Sequence, residues 1–131
     1  MFVDTSVLLA ASLSRTGAAR AVLRDGRKRG WSFHTGRWCL AEVARNLSAK
    51  YPSALPAWRG LRSRVRPAPD WLVLDKPLVF PVAKDRPVLV TALALRADVL
   101  LTFDRADFQD RLGAEVYGMR ILTPGELLSG L

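Results

Sequence analysis

The chain has 131 residues, half of them hydrophobic, with a net charge of +8 and a mean hydropathy of +0.10. That is long and apolar enough to close one core without staples, so a single domain over 1–131 is expected and a disordered chain is excluded. No apolar run approaches the roughly 20 residues of a membrane span, and the lone Cys39 has no intramolecular disulfide partner, which fits a reducing cytoplasm. Asp4 interrupts the first apolar stretch and no basic leader precedes it, so a secretory signal is not expected. The charge is uneven. Residues 1–70 hold 13 Lys/Arg against Asp4, Asp25, Glu42 and Asp70, whereas residues 71–131 hold seven against eight carboxylates. A basic half beside an acidic cluster suits a surface that gathers phosphates around a cation-held reaction centre. Arg outnumbers Lys 16 to 4, a bias that base composition alone can produce.

In chain order, Met1-Phe2-Val3 reads as a short buried strand, and Ser6 to Ser14 follows with helical spacing. Gly17 to Arg29 reads as an amphipathic helix with Ala18, Ala21 and Val22 inward, ended by Gly30. Trp31 to His34 alternates as a second strand. Trp38 to Tyr51 is a helix whose buried stripe is Leu40, Val43, Leu47 and Tyr51. Pro52 closes it, and Ser53 is placed to cap a further helix carrying Leu55, Trp58 and Leu61 on one face. Pro67 and Pro69 break the chain before a third strand candidate, Trp71 to Leu74. Asp85 precedes an almost wholly apolar helix, Arg86 to Arg96. Asp98 to Thr102 is the clearest parallel strand, Asp104 to Leu112 a short helix, Met119 to Leu122 a last strand, and Thr123-Pro124-Gly125-Glu126 the start of a final helix. Alternating strands and helices point to an α/β fold, a three-layer α/β/α sandwich around a mainly parallel sheet.

Four acids stand at informative places: Asp4, Glu42, Asp85 and Asp104. Asp4, Asp85 and Asp104 each precede a helical stretch, so each also has a plain explanation as an N-cap. Glu42 stands in mid-helix, where an ion pair with Arg45 is the plain alternative. Jointly, a parallel sheet would bring the three Asp residues to one edge, in the crevice where open α/β sheets bind ligands. Carboxylates gathered there repel unless a hard divalent cation holds them, and an all-oxygen set suits Mg²⁺ or Mn²⁺. Ser6 and Thr102 place hydroxyls beside Asp4 and Asp104, where they would orient a water or a ligand oxygen.

The opening Val3-Asp4-Thr5-Ser6-Val7-Leu8, the segment Leu40-Ala41-Glu42-Val43, the block from Asp85 through Asp98 to Leu101-Thr102-Phe103-Asp104-Arg105-Ala106-Asp107-Phe108, and the close Ile121-Leu122-Thr123-Pro124-Gly125-Glu126 resemble a PIN domain. Within that family the chain is most similar to the VapC-type toxins of toxin–antitoxin pairs. The resemblance covers essentially the whole chain. It implies a PIN-like nuclease domain in which Asp4, Glu42, Asp85 and Asp104 bind Mg²⁺ or Mn²⁺ and cut RNA, with Asp107 as an outer ligand. It also implies an antitoxin protein as partner, a homodimer, and a cytoplasmic location without a membrane.

The chemistry agrees with the residues. His34 is the only histidine and has no obvious nucleophile beside it, so it reads as structural. Hydrolysis would run through water activated by the cation, with Asp4 or Glu42 orienting that water or taking its proton, leaving 5′-phosphate and 3′-hydroxyl ends. A haloacid-dehalogenase-like phosphatase needs a second Asp two residues after the first, and Ser6 stands there. A receiver-like domain pairs two acids at its first strand, and none adjoins Asp4. A non-catalytic module that binds RNA or a protein is the remaining alternative. The apolar face of 53–66 is expected either to serve self-association or partner docking, or to pack into the chain's own core.

Overall fold

The computed structural model describes residues 1–78, 80 and 85–130; Lys84, next to Asp85 in sequence, lies outside them. Six short strands form one sheet: β1 (Phe2–Val3), β2 (His34–Gly36), β3 (Arg66–Ala68), β4 (Val99–Leu101), β5 (Glu115–Val116) and β6 (Met119–Leu122). Their order is β3-β2-β1-β4-β6-β5, parallel throughout except for the β5–β6 pair. Seven α-helices occur among the described residues: α1 (Thr5–Leu13), α2 (Ala18–Asp25), α3 (Arg37–Lys50), α4 (Leu55–Arg62), α5 (Arg86–Ala94), α6 (Gln109–Leu112) and α7 (Pro124–Ser129). None of them is long and apolar enough to cross a membrane.

Because side chains alternate across a strand, the sheet feeds two cores. Val3, Val99, Leu101 and Leu122 join Val7 and Leu8 of α1, Val22 of α2, Leu47 of α3, Trp58 of α4 and Leu127 of α7. Phe2, Leu100 and Ile121 point the other way, onto Val88, Leu89 and Ala92 of α5, with Phe108, Phe80 and Cys39. The result is a three-layer α/β/α sandwich, as the alternation of elements implied. Each fully buried Leu or Phe in these cores contributes on the order of 1.5–3 kcal/mol.

Several local readings change; Tyr51, expected in the buried stripe of α3, lies just beyond that helix and is exposed. The strand expected at Trp31–His34 begins instead at His34, because Phe33 turns its ring against Gly26, where an added Cβ would lie 2.4 Å from it. The third strand is Arg66–Ala68 rather than Trp71–Leu74. Pro67 is tolerated because β3 is the sheet's outer strand, where one row of backbone groups needs no partner. Trp71, Leu72 and Val73 are exposed, and the Trp71 N–H donates to Thr91 Oγ1 at 2.9 Å. The small strand β5 has no sequence signal because its two-residue turn, Tyr117–Gly118, takes positive φ at both positions with a tyrosine in the first. Finally, Ser53 caps nothing by its side chain: Pro52–Ala54 is a 3-10 turn that runs into α4. Trp58 and Leu61 of α4 are buried in the chain's own core, so that apolar face is spent internally.

The strand order sets up the site. From β1 the chain steps outward to β2 and β3, then returns across β1 to β4 on its other side. The reversal falls between β1 and β4, and such a switch point leaves a crevice at the carboxyl ends of the strands.

Candidate metal centre

Asp4 is the first residue beyond β1, and its N–H donates to Leu101 O at 3.0 Å, so it is fixed against the end of β4. Its carboxylate is 6 % exposed and accepts three hydrogen bonds. The Thr5 N–H donates to Oδ1 at 2.8 Å; the Ser6 and Thr102 hydroxyls donate to Oδ2 at 3.0 and 2.8 Å. Each hydroxyl has one proton, and both protons are committed to Asp4. The 3.4 Å approach of Ser6 Oγ to Thr102 Oγ1 is therefore proximity rather than a third bond. The same hydroxyls accept from the loop after β4: Phe103 N–H to Ser6 and Asp104 N–H to Thr102, each at 3.0 Å. Ser6 and Thr102 thus tie the Asp104 loop to Asp4. With both protons committed to Asp4, their remaining lone pairs are what is left to meet a water.

Burial pushes the Asp4 carboxyl above the ordinary range for aspartate; the three hydrogen bonds pull it back in part, and the charge of Glu42 pushes it up again. Glu42 therefore lies close enough to act on Asp4, half-buried on α3. Cys39, one turn earlier, is buried and pushed up to about 11 by burial and by Asp4, so it is an inert thiol at neutral pH.

The second group of acids surrounds the end of β4. Asp85 is buried at the N-cap position of α5, yet its side chain makes no capping hydrogen bond. Asp104 does not cap a helix either, because α6 starts only at Gln109. Instead Asp104 Oδ1 accepts from the Asp107 N–H at 3.0 Å, closing a tight turn over 104–108. That turn is pinned by Phe108, which is fully buried and stacked on Phe80 at 5.5 Å between ring centroids. Asp85, Asp104 and Asp107 each offer a carboxylate oxygen within 4.8 Å of the others, the one such group of three among the described residues.

Mg²⁺–oxygen bonds of about 2.0–2.1 Å put two ligands of one octahedral ion about 3.0 Å apart when adjacent and about 4.2 Å apart when opposite. Three oxygens at the corners of a triangle of side 4.8 Å lie about 2.8 Å from its centre, so each would move inward by at most about 0.7 Å to meet such an ion. The donor set is all carboxylate, which fits a hard divalent cation.

Of the four expected ligands, then, Asp85 and Asp104 are brought together, with Asp107 beside them. Asp4 and Glu42 form a neighbouring pair, joined to the three through Thr102. His34 starts β2 at the opposite edge of the sheet, away from the acids. Sequence reading missed Asp70, which is exposed and accepts from the Trp38 N–H at 3.0 Å in the first turn of α3. It fills the place of a cap, since Gly36 at the N-cap has no side chain and an added Cβ there would lie 2.5 Å from Asp70 Oδ1. The signal available was that glycine opening a long helix. No family model matches the chain, and no curated protein matches it either.

Proposed function

We propose that the chain is a PIN-like, Mg²⁺- or Mn²⁺-dependent endoribonuclease, the toxin of a toxin–antitoxin pair. The observation that carries this reading is the meeting of Asp85, Asp104 and Asp107 within 4.8 Å at the sheet's switch point, beside the buried Asp4. Three carboxylates at that spacing are costly alone and useful around a cation. The resemblance of the opening, Glu42, Asp85–Phe108 and closing segments supplies the family, and with it the expectations of an antitoxin partner and a homodimer.

Asp85, Asp104 and Asp107 would hold the cation. When bound, it supplies Lewis-acid activation of water and neutralises charge on the transferring phosphoryl group. Asp4 fixes the Asp104 loop through Thr102 and Ser6 and adds negative charge from beneath. Its oxygens are already engaged by three donors, which leaves an incoming water little room to approach them. Glu42 is half-buried, and among the described residues its carboxylate takes part in no hydrogen bond. We assign it the proton from the attacking water. Phe103, 43 % exposed beside Asp104, offers a ring face for a base next to the scissile phosphate. Attack by water leaves a 5′-phosphate and a 3′-hydroxyl.

The test is cleavage of an end-labelled single-stranded RNA in Mn²⁺ and in chelator, with end-group analysis. Metal-dependent cuts bearing 5′-phosphates, lost in Asp104→Asn and Asp107→Asn, support the assignment. RNA that stays intact with every divalent ion refutes it and leaves a binding module.

A further inference from the structure

Several of the cations of the first half of the chain lie away from the acids. Arg27, Lys28 and Trp31 precede β2, Arg64 precedes β3, Arg96 precedes β4 and Tyr117 precedes β6, so all lie at the amino edge of the parallel sheet. The acids lie at the carboxyl edge. Four residue steps along β4 separate Asp98 from Thr102, about 13 Å at ~3.3 Å per residue.

Four hollows run end to end along that amino edge. One of about 410 Å³ and one of about 250 Å³ share Arg27 and Arg64. The second shares Ser32 with a third of about 210 Å³, and the third shares Arg96, Ala97 and Asp98 with a fourth of about 500 Å³. Seven Lys or Arg side chains line them against three carboxylates, Asp25, Asp75 and Asp98. Asp25 is already paired with Arg24 at 3.0 Å, the only ion pair among the described residues that involves any of these cations. Aromatic rings recur along the same line. Trp31 has the Arg29 guanidinium 5.4 Å from its ring, Tyr117 has the Lys76 ammonium at 5.1 Å, and Trp71 is 51 % exposed.

We infer that the amino edge of the sheet is a binding track for single-stranded RNA, remote from the metal centre, which anchors the substrate while another part of it is cut. The inference rests on RNA being the substrate. Alternating cations and aromatic faces match the alternating phosphates and bases of a single strand. A duplex hides its base faces, and an acidic polypeptide has no use for the rings. Five interstrand spacings of ~4.8 Å give an edge of about 24 Å, room for a strand at the lower end of the ~4–16 nucleotides such tracks hold.

The probe is a labelled 12-nucleotide oligouridine, with binding followed by fluorescence anisotropy in chelator so that nothing is cut. Arg27→Gln/Lys28→Gln and Lys76→Gln/Arg96→Gln remove two exposed charges at either end of the track. Each should weaken binding about 25-fold near 0.1 M salt and flatten the log–log salt slope by about 1.4, at ~0.7 per phosphate contact on a single strand. Asp104→Asn should bind as tightly as the parent or more so. Equal affinity of parent and both double variants overturns the track, as does a loss confined to Asp104→Asn. Polyglutamate that competes as well as oligouridine also overturns it, in favour of an acidic protein. Because binding alone is read, a chain unable to cut RNA still answers the question, and failure of the nuclease reading is seen separately.

Discussion

Thr102→Val tests the wiring of the site without needing a metal. Thr102 is 1 % exposed, and its hydroxyl both donates to Asp4 Oδ2 at 2.8 Å and accepts from the Asp104 N–H at 3.0 Å. Valine keeps the shape and removes both bonds. A hydrogen bond to an ionised group is worth about 1.5–3 kcal/mol, and a stranded backbone donor near the surface adds up to about 1 kcal/mol. The extra buried methyl returns about 0.8 kcal/mol, so the net cost with Asp4 ionised is about 1–3 kcal/mol. With Asp4 protonated the lost bond is of the neutral kind, about 0.5–1.5 kcal/mol, and the net cost falls to about 0–1.7 kcal/mol, lower by about 1–1.5 kcal/mol. The sign follows from linkage. The folded Asp4 carboxyl already lies above its ordinary 3.8, mainly through burial. Its stabilising contribution is therefore full below the unfolded value and is lost as pH rises through the folded one. Losing Thr102 raises the folded value again, so the variant's penalty grows as pH rises through the parent's folded value and levels off once Asp4 is ionised in both proteins. Urea unfolding of parent and variant in chelator, at acidic pH and near pH 8, measures both ends. A penalty that is equal at the two, or larger in acid, would refute the pairing of Thr102 with an Asp4 carboxylate.

Asp104→Asn and Asp107→Asn should melt in chelator at or above the parent's temperature, because one of three crowded charges is gone. Mn²⁺ at a hundredfold excess over Kd should stabilise the parent by about 2.7 kcal/mol and each variant by much less; equal gains in thermal melts would remove these residues from the metal centre. Phe108→Ala should cost about 3–5 kcal/mol in urea unfolding, since the ring is fully buried against Phe80 and pins the Asp104–Asp107 turn. A loss under 1 kcal/mol would mean that the turn holds itself. Gly36→Ala should cost about 1 kcal/mol by pushing Asp70 off the Trp38 N–H, and should cost little in an Asp70→Ala background. Additive costs in that double-mutant cycle would show that Asp70 is not the cap of α3.

What the sequence determined alone is the part of this protein written in neighbouring residues. The apolar runs of β1 and β4 and the 3- and 4-residue spacing of α3 are each readable within a dozen positions. So is the reciprocal capping of Thr123 and Glu126 at α7. From them follow the strand–helix alternation, the layered fold and the edge at which Asp4, Asp85 and Asp104 would meet. Tertiary structure decided the rest. Pro67 is acceptable only because β3 has nothing beyond it, and Tyr117 takes a left-handed φ only because a hairpin closes there. Asp104 ceases to be a helix cap once Phe108 is drawn into the core, and the turn this makes brings Asp107 against Asp85. The cations moved furthest from expectation. Sequence places Arg27 and Lys28 in the same half as Asp4, but a parallel strand has two ends and its preceding loop lies at the other one. Local patterns fix which residues are buried; which edge a charge reaches depends on the direction of the strand that follows it.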